Sequence, residues 1–176
     1  MRVISGKYRG KNLTGFDIDG TRPTMDRVKE SLFAMIQNKL MNSVVLDLFA
    51  GSGSLGIEAI SNGAKTAYFV DNNIELINII KSNTNNMEED IHILKSDYKN
   101  AIELLKNSNI KFDIVFLDPP YKLNLINDSI KRLIDSDLIN KNGIIVCEYE
   151  NEEIKCDLEL LKFKSYGSKN IKIYKV

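Results

Sequence analysis

Short apolar runs alternate with longer amphipathic stretches from residue 43 onward. This alternation is typical of βα units packed around a mostly parallel sheet, so we predict an α/β fold. The predicted strands are Val44–Phe49, Thr66–Val70, Ile91–Lys95, Phe112–Leu117 and Gly143–Glu148, with helices between them at Leu55–Asn62, Ile74–Asn86, Tyr98–Leu105 and Leu125–Ile134. Two further segments, Leu158–Phe163 and Ile171–Val176, alternate like strands and would close the sheet as an antiparallel hairpin.

The size and composition of the chain fit one globular domain, because 176 residues with 43% hydrophobic side chains can bury a sizeable core. The 24 basic side chains balance 24 acidic ones, which excludes a basic field over the whole surface. The longest apolar runs are strand-sized and residues 1–9 contain no apolar leader, so we expect a cytoplasmic protein without a membrane span. Cys147, Cys156 and His92 lack the spacing of metal ligands, and we expect no metal.

A different segment precedes the βα units. We predict two short strands within residues 2–14 and, over residues 25–40, a helix capped by Thr24 with one apolar face in the core. Residues 1–16 carry four basic side chains and no acidic one, namely Arg2, Lys7, Arg9 and Lys11. This hairpin is either a nucleic-acid-binding arm, since Arg pairs well with phosphate, or an ordinary solvated surface. We treat residues 1–24 as an extension of a single domain whose catalytic core spans residues 25–176.

A glycine-rich turn follows the first βα strand. Gly51, Gly53 and Gly56 match the pattern G-x-G-x-x-G between a predicted strand and a predicted helix. Glycines in this position let the backbone approach a ligand closely, and the helix presents its positive end. Several classes of nucleotide-binding protein share this loop.

Three carboxylates near the loop narrow the choice of ligand. Asp71 ends the next strand, twenty residues after Gly51, where an acidic side chain accepts hydrogen bonds from ribose hydroxyls. Asp47 lies four residues before Gly51 and would repel the pyrophosphate of a dinucleotide, but would attract the sulfonium and ammonium groups of S-adenosylmethionine. Asp97 suits the adenine amino group. Alternatively, Asp71 and Asp97 cap the helices that follow them. The complete predicted cofactor set is Asp47, Phe49, Gly51, Gly53, Asp71, Asn72, Asp97 and Tyr98.

The strand Phe112–Leu117 runs into Asp118-Pro119-Pro120-Tyr121. Two consecutive prolines give a rigid corner with two fewer backbone donors, and such an acceptor-rich corner suits an amino-group substrate. Hydrogen bonds from the amine to Asp118 and to the Pro119 carbonyl would aim its lone pair at a methyl carbon. Tyr121 would stack on a base that has been flipped out of its helix. The alternative is a stiff surface turn without chemistry.

Together, the segments Asp47–Gly53 and Asp118–Tyr121 resemble the class I S-adenosylmethionine-dependent methyltransferases that modify amino groups. The basic hairpin from Arg2 to Lys11 and the element Arg22-Pro23-Thr24 resemble, more narrowly, the RsmD family of bacterial small-subunit rRNA guanine-N2 methyltransferases. This resemblance runs over nearly the whole chain. One departure is that Tyr166-Gly167 continues Ser168-Lys169, where the family usually has Thr about two positions on.

The resemblance implies a Rossmann-like, seven-stranded methyltransferase sheet with helices on both faces and an N-terminal hairpin that contacts RNA. It implies S-adenosylmethionine as cofactor and 16S rRNA, within an assembled or assembling small ribosomal subunit, as substrate. By resemblance, Asp118, Pro119, Pro120 and Tyr121 form the target-amine site, and Arg2, Lys7, Arg9, Lys11, Arg22 and Thr24 contact RNA. We expect a monomer.

Three other functions each account for part of this sequence. An amino-group methyltransferase could act on adenine N6 or on a protein glutamine, although the chain has no room for a separate DNA-recognition domain. A non-catalytic RNA-binding module would account for the basic hairpin but for neither the glycine loop nor Asp118–Tyr121. A dehydrogenase would explain the glycines, yet it leaves Asp47 without a purpose.

Overall fold

The computed structural model describes residues 1–15, 22–120 and 123–176, and it leaves the side chains of residues 22–25 undescribed. Five helices and seven strands follow one another as α1 (Arg22–Leu40), β1 (Val44–Asp47), α2 (Ser54–Ser61), β2 (Thr66–Asp71), α3 (Ile74–Thr84), β3 (Asp90–Lys95), α4 (Tyr98–Lys106), β4 (Phe112–Leu117), α5 (Leu125–Asp135), β5 (Ile139–Tyr149), β6 (Glu159–Tyr166) and β7 (Lys169–Lys175).

The seven strands form one sheet in the order β3-β2-β1-β4-β5-β7-β6. The first five strands of this order are parallel, and β7 pairs antiparallel with both β5 and β6. The direction of the sheet order reverses beside β1, which places a crevice at the carboxyl-terminal ends of β1 and β4. These findings confirm the predicted α/β fold, its mostly parallel sheet and its closing antiparallel hairpin.

Two apolar cores flank the sheet. One contains the buried faces of α1, α2 and α3, and the other contains those of α4 and α5, so helices cover both faces as predicted. The predicted apolar face of α1 packs in the first core, where Val28, Leu32, Ile36 and Leu40 are buried and Met35 is partly buried. Within the part of the chain that the structure describes, no helix is long and apolar enough to cross a membrane.

The predicted cap of α1 is wrong. The helix begins at Arg22, so Thr24 lies inside its first turn instead of preceding it. Pro23 permits this earlier start, because an amide in the first turn has no partner within the helix and its loss costs nothing there.

The N-terminal hairpin contains less strand structure than the two short strands predicted for residues 2–14. Its antiparallel pairing contains a single bridge, between Arg2 and Asn12, with Val3 accepting a hydrogen bond from the Gly10 amide at 2.9 Å. The hairpin tip lies on the end of α2, because the Lys7 amide donates to the Ser61 carbonyl at 2.7 Å. A Cβ at Gly6 would come within 1.8 Å of that carbonyl oxygen, so only glycine permits this contact. The hairpin is therefore fixed against the domain core.

Candidate active site

A cavity of about 840 Å³ opens at the carboxyl-terminal ends of the parallel strands, which we call the carboxyl edge of the sheet. Its volume lies in the range of small-molecule sites in proteins. Ten of the residues predicted to bind cofactor or substrate line this one cavity: Asp47, Phe49, Gly51, Asp71, Asn72, Asp97, Tyr98, Asp118, Pro119 and Pro120. The two motifs, which are far apart in sequence, thus share one site because both follow strands of the same edge.

The glycine loop shapes one wall of the cavity. Gly51 has a φ of 54°, and a Cβ at this position would meet no protein atom within 4 Å, so the backbone itself faces open space. The Gly51 amide donates to Asp71 Oδ2 at 3.0 Å, which ties the loop to the end of β2. Gly53 is not part of the cavity wall, although it was predicted to bind cofactor. It precedes α2 with a φ of 81°, a backbone role that also favours glycine.

The third glycine of the motif serves packing. A Cβ on Gly56 would lie 2.3 Å from the Phe69 ring, so α2 approaches β2 more closely than any other residue would allow. This close approach also brings the Gly56 amide to Asp47 Oδ2, at 3.0 Å.

Asp47 ends β1 beneath the loop with only 1% of its surface exposed. Its Oδ2 accepts from Gly56, while Oδ1 has no hydrogen-bond partner among the described residues. Burial raises the pKa of this carboxyl to about 7; the Gly56 hydrogen bond opposes the rise, and the charge of Asp71 adds to it. A buried carboxylate is costly unless a positive charge compensates it, so a cationic group in the cavity would favour the ionised form of Asp47.

Replacing Asp47 by Asn should stabilise the ligand-free protein in a pH-dependent way. Between about pH 4 and 7 the folded protein keeps a proton on Asp47 that the unfolded chain releases, so stability falls as the pH rises through this window. We expect the variant to be more stable than the wild type by about 2–4 kcal/mol at pH 8 and by much less at pH 4, measured by urea unfolding.

An exposed carboxylate provides the control for this prediction. Asp135 pairs with Lys131 on the surface of α5, and Asp135→Asn should change stability by less than about 0.5 kcal/mol at either pH. An Asp47→Asn gain of equal size at pH 4 and pH 8 would contradict the assignment of the titration to Asp47.

Of the two carboxylates Asp71 and Asp97, only Asp97 caps a helix. Asp71 is not a helix cap, because Asn73 occupies that position in front of α3 and accepts from the Glu75 amide at 2.8 Å. Asp97 does cap α4, because its side chain accepts hydrogen bonds from the amides of Lys99 and Asn100. These hydrogen bonds lower the pKa of Asp97, and the bond from the Asn100 amide contributes most. Both carboxylates also line the cavity, so capping does not remove Asp97 from the site.

The aromatic side chains on this side of the cavity pack on one another. The rings of Phe49 and Tyr98 lie 5.4 Å apart, and the Tyr98 hydroxyl donates to Asp128 Oδ2 at 2.7 Å. This pair gives the cavity an apolar, aromatic section of wall.

Asp118 directly follows β4 and is half-buried beside the buried Pro119. Removal from water raises the pKa of the Asp118 carboxyl well above its usual range; the charge of Glu148 adds to the rise and that of Lys169 opposes it. Glu148 and Lys169 were not predicted to be site residues, and both line the same cavity as Asp118. Tyr121, predicted to stack on a base, lies outside the described residues.

Comparison with known proteins identifies the family of the chain. Residues 1–175 match the family described as conserved hypothetical protein 95, which is the RsmD family. The chain belongs to this family. It is 37% identical to YlbH of Bacillus subtilis over 99% of this chain and 98% of that protein, and 35% identical to ribosomal RNA small subunit methyltransferase D of Haemophilus influenzae over 99% and 93%. The solved structure of yhhF from Escherichia coli superposes with a TM-score of 0.84 at 29% identity, covering 99% of this chain and 97% of that one.

Membership of the RsmD family confirms the resemblance drawn from Arg2–Lys11 and Arg22–Thr24, and the solved relative confirms the methyltransferase fold. The side chains of Arg22 and Thr24 lie outside the described residues, so their contact with RNA stays a prediction. The same holds for the role of each cavity residue, which the comparisons do not address.

Three of the four basic hairpin side chains have partners within this RsmD-family chain. Lys7 pairs with Glu88 at 3.0 Å and with Glu89 at 2.9 Å, while Lys11 donates to the Asn85 carbonyl at 3.3 Å. Arg2 lies 3.4 Å from Asp26 and remains exposed, as does Arg9. Two carboxylates thus offset the charge of Lys7, which leaves Arg2, Arg9 and Lys11 as the stronger part of the predicted RNA surface.

Proposed function

We propose that this protein transfers a methyl group from S-adenosylmethionine to the exocyclic N2 amine of one guanine in small-subunit rRNA. A relative 35% identical over 99% of this chain is named for methylation of small-subunit rRNA, which supports the substrate class. The observation that carries the proposal is that Asp47, buried with one oxygen unpartnered among the described residues, lines the same cavity as the amine-accepting corner at Asp118.

The residues on the β1–β3 side of the cavity fit the cofactor. Asp71 would accept from the ribose hydroxyls and Asp97 from the adenine amine, and Phe49 with Tyr98 would flank the adenine ring. Asp47 would face the positive charge of the methionine part, which explains why a carboxyl with a pKa near 7 is retained there. When bound, S-adenosylmethionine supplies an electrophilic methyl group. Asp47→Asn should therefore lose cofactor affinity while it gains stability.

The corner after β4 would hold and orient the nucleophile. The Asp118 carboxylate and the Pro119 carbonyl accept hydrogen bonds from the two N–H groups of the amine, which turns its lone pair towards the methyl group. Correct placement of two reactants contributes roughly 7–11 kcal/mol to catalysis, so no covalent enzyme intermediate is needed. Asp118 need not be a strong base, because the amine becomes acidic once it is methylated and can release its proton late.

Transfer of labelled methyl to small ribosomal subunits that lack the modification tests this function. Naked rRNA is tested beside the subunits. Duplex DNA and a release-factor protein are tested as well, because they represent the adenine and glutamine alternatives. We expect label on guanine N2 at a single rRNA site. Label on DNA or protein alone would overturn the substrate, and no transfer together with no thermal shift by S-adenosylmethionine would leave an RNA-binding module.

Neutralising the hairpin charges should weaken RNA binding. In the triple variant Arg2→Gln, Arg9→Gln, Lys11→Gln, up to three phosphate contacts are removed, so the slope of log affinity against log salt should flatten by about 2. Filter binding to rRNA between low and moderate salt measures this change.

A matched variant corrects for the loss of net charge. Lys106 at the end of α4, Lys131 on α5 and Lys111 just before β4 are exposed, and α4 and α5 cover the face of the sheet opposite to the one against which the hairpin packs. Their triple change to Gln removes the same charge and should leave the salt slope within experimental error. Equal slopes in the wild type and the hairpin variant would exclude the hairpin from the RNA interface.

A further inference from the structure

The residues that line the cavity follow the order of the strands along the carboxyl edge. Asp97, Asp71 and Asp47 stand at β3, β2 and β1, Asp118 follows β4, and then come Glu148 on β5 and Lys169 at the start of β7. If the cofactor occupies the β1–β3 side and the methyl group passes at Asp118, the rest of the acceptor must extend towards β5 and β7. Among the residues that the structure describes, Glu148 and Lys169 are charged side chains that line the cavity on that side.

Strand register places Glu148 beside Asp118. Leu117 and Cys147 are partners in the parallel pair β4–β5, so the residue after each of them lies at the same level of the sheet. Glu148 is only 8% exposed, and its Oε1 lies 2.6 Å from the Lys169 Nζ. A carboxylate has about four acceptor sites and an ammonium has three donors, so this pair does not by itself use up the capacity of either group for a ligand.

The pair is hard to explain as a stabilising device. Two charges withdrawn from water at a cavity wall contribute little to folding compared with apolar side chains of similar size. Charged groups gathered around a carboxyl with a strongly shifted pKa are instead typical of functional sites. The order of chemical groups along the wall is acceptor at Asp118, acceptor at Glu148 and donor at Lys169.

The Watson–Crick edge of guanine presents the complementary order: the N2 amine donates, N1–H donates and O6 accepts. Flipped bases are generally recognised through this edge. We infer that Glu148 and Lys169 determine base specificity, with the Glu148 carboxylate accepting from N1–H and the Lys169 ammonium donating to O6 while Asp118 holds the amine. This assignment rests on the proposed function. Adenine would place the lone pair of its N1 against the Glu148 carboxylate and is rejected for that reason.

2-Aminopurine provides a direct test, because it keeps the N2 amine but has an unprotonated N1 and no O6. Small subunits are reconstituted from ligated rRNA that carries guanine or 2-aminopurine at the methylated position. Methyl transfer is then measured as kcat/KM for both bases in the wild type, Glu148→Gln and Lys169→Met. We expect the wild type to prefer guanine by roughly 100-fold or more, since a site built around hydrogen bonds rejects an analogue that lacks them.

The two variants should reduce this preference in different ways. Glu148→Gln can donate to N1 of 2-aminopurine and should improve its relative kcat/KM by about tenfold or more, whereas Lys169→Met should slow guanine and leave 2-aminopurine nearly unchanged. The exposed pair Glu153 and Lys155, changed to Gln and Met, serves as the matched control and should keep the wild-type preference.

The outcomes separate the inference from the proposed function. If each variant slows both bases by the same factor, the pair acts only on structure or on the charge of Asp118, and the inference is wrong while the proposed function stands. If the wild type puts no methyl on guanine N2, the proposed function fails and the inference fails with it.

Discussion

Asp118→Ala should lower the rate of methyl transfer by roughly 1,000-fold or more while the affinity for S-adenosylmethionine changes by less than about twofold. The reason is positional: Asp118 follows β4, whereas the residues proposed to hold the cofactor follow β1, β2 and β3. Single-turnover transfer to small subunits measures the rate, and calorimetric titration measures cofactor affinity.

Folding should not suffer from this change, because burial and the neighbouring Glu148 make the ionised Asp118 carboxyl unfavourable in the folded protein. The melting temperature of Asp118→Ala should therefore equal or exceed that of the wild type. Asp135→Ala, on the exposed surface of α5, is the matched control and should keep full activity. Loss of cofactor binding together with activity would contradict the assigned role and point to a damaged cavity.

The position of the site could be predicted from sequence because its parts follow strands. Asp47, Asp71 and Asp118 each end or directly follow an apolar run, and parallel strands bring such positions to one edge of a sheet. The strand bounds support this reasoning: β4 was predicted without error, and β2 differs by a single residue from the prediction. The carboxylates converge as expected.

Contacts between distant segments could not be predicted in the same way. Glu148 lies at the end of a predicted strand, much as Asp118 follows the predicted strand Phe112–Leu117. Its pairing with Lys169 could not be predicted, because the two residues meet only through the antiparallel pairing of β5 with β7. Lys7 was assigned to RNA from its charge, yet its neighbours Glu88 and Glu89 come from the connection between α3 and β3. Local patterns reveal which face a residue takes, whereas charge pairing depends on packing across the fold.

A buried ion pair is the clearest example of such a contact. Glu58 on α2 is 1% exposed, and its carboxylate lies 3.1 Å from the Lys29 ammonium on α1. The same carboxylate accepts from the amides of Ile4 at 2.9 Å and Ser5 at 2.8 Å, and Lys29 donates to the Arg2 carbonyl at 2.8 Å. Two helices and the N-terminal hairpin thus meet at one pair of charges.

Glu58→Ala should lower the free energy of unfolding by about 3–5 kcal/mol, because it leaves the Lys29 charge and two hairpin amides buried without their acceptor. Urea unfolding measures the loss. The control is Asp135→Ala, which removes the exposed Lys131–Asp135 pair and should lower the free energy of unfolding by less than about 1 kcal/mol.

The double variant Lys29→Met, Glu58→Gln separates charge burial from hairpin anchoring. It removes both charges and keeps an amide oxygen for the hairpin, so it should recover more than half of the stability lost in Glu58→Ala. A double variant as unstable as Glu58→Ala would mean that the loss comes from packing and not from the orphaned charge. Because the pair also fixes the backbone of Arg2, Glu58→Ala at a temperature where it remains folded should weaken rRNA binding more than cofactor binding. The Glu58–Lys29 pair would then support two properties at once, namely the stability of the domain and the position of the hairpin that we propose binds RNA.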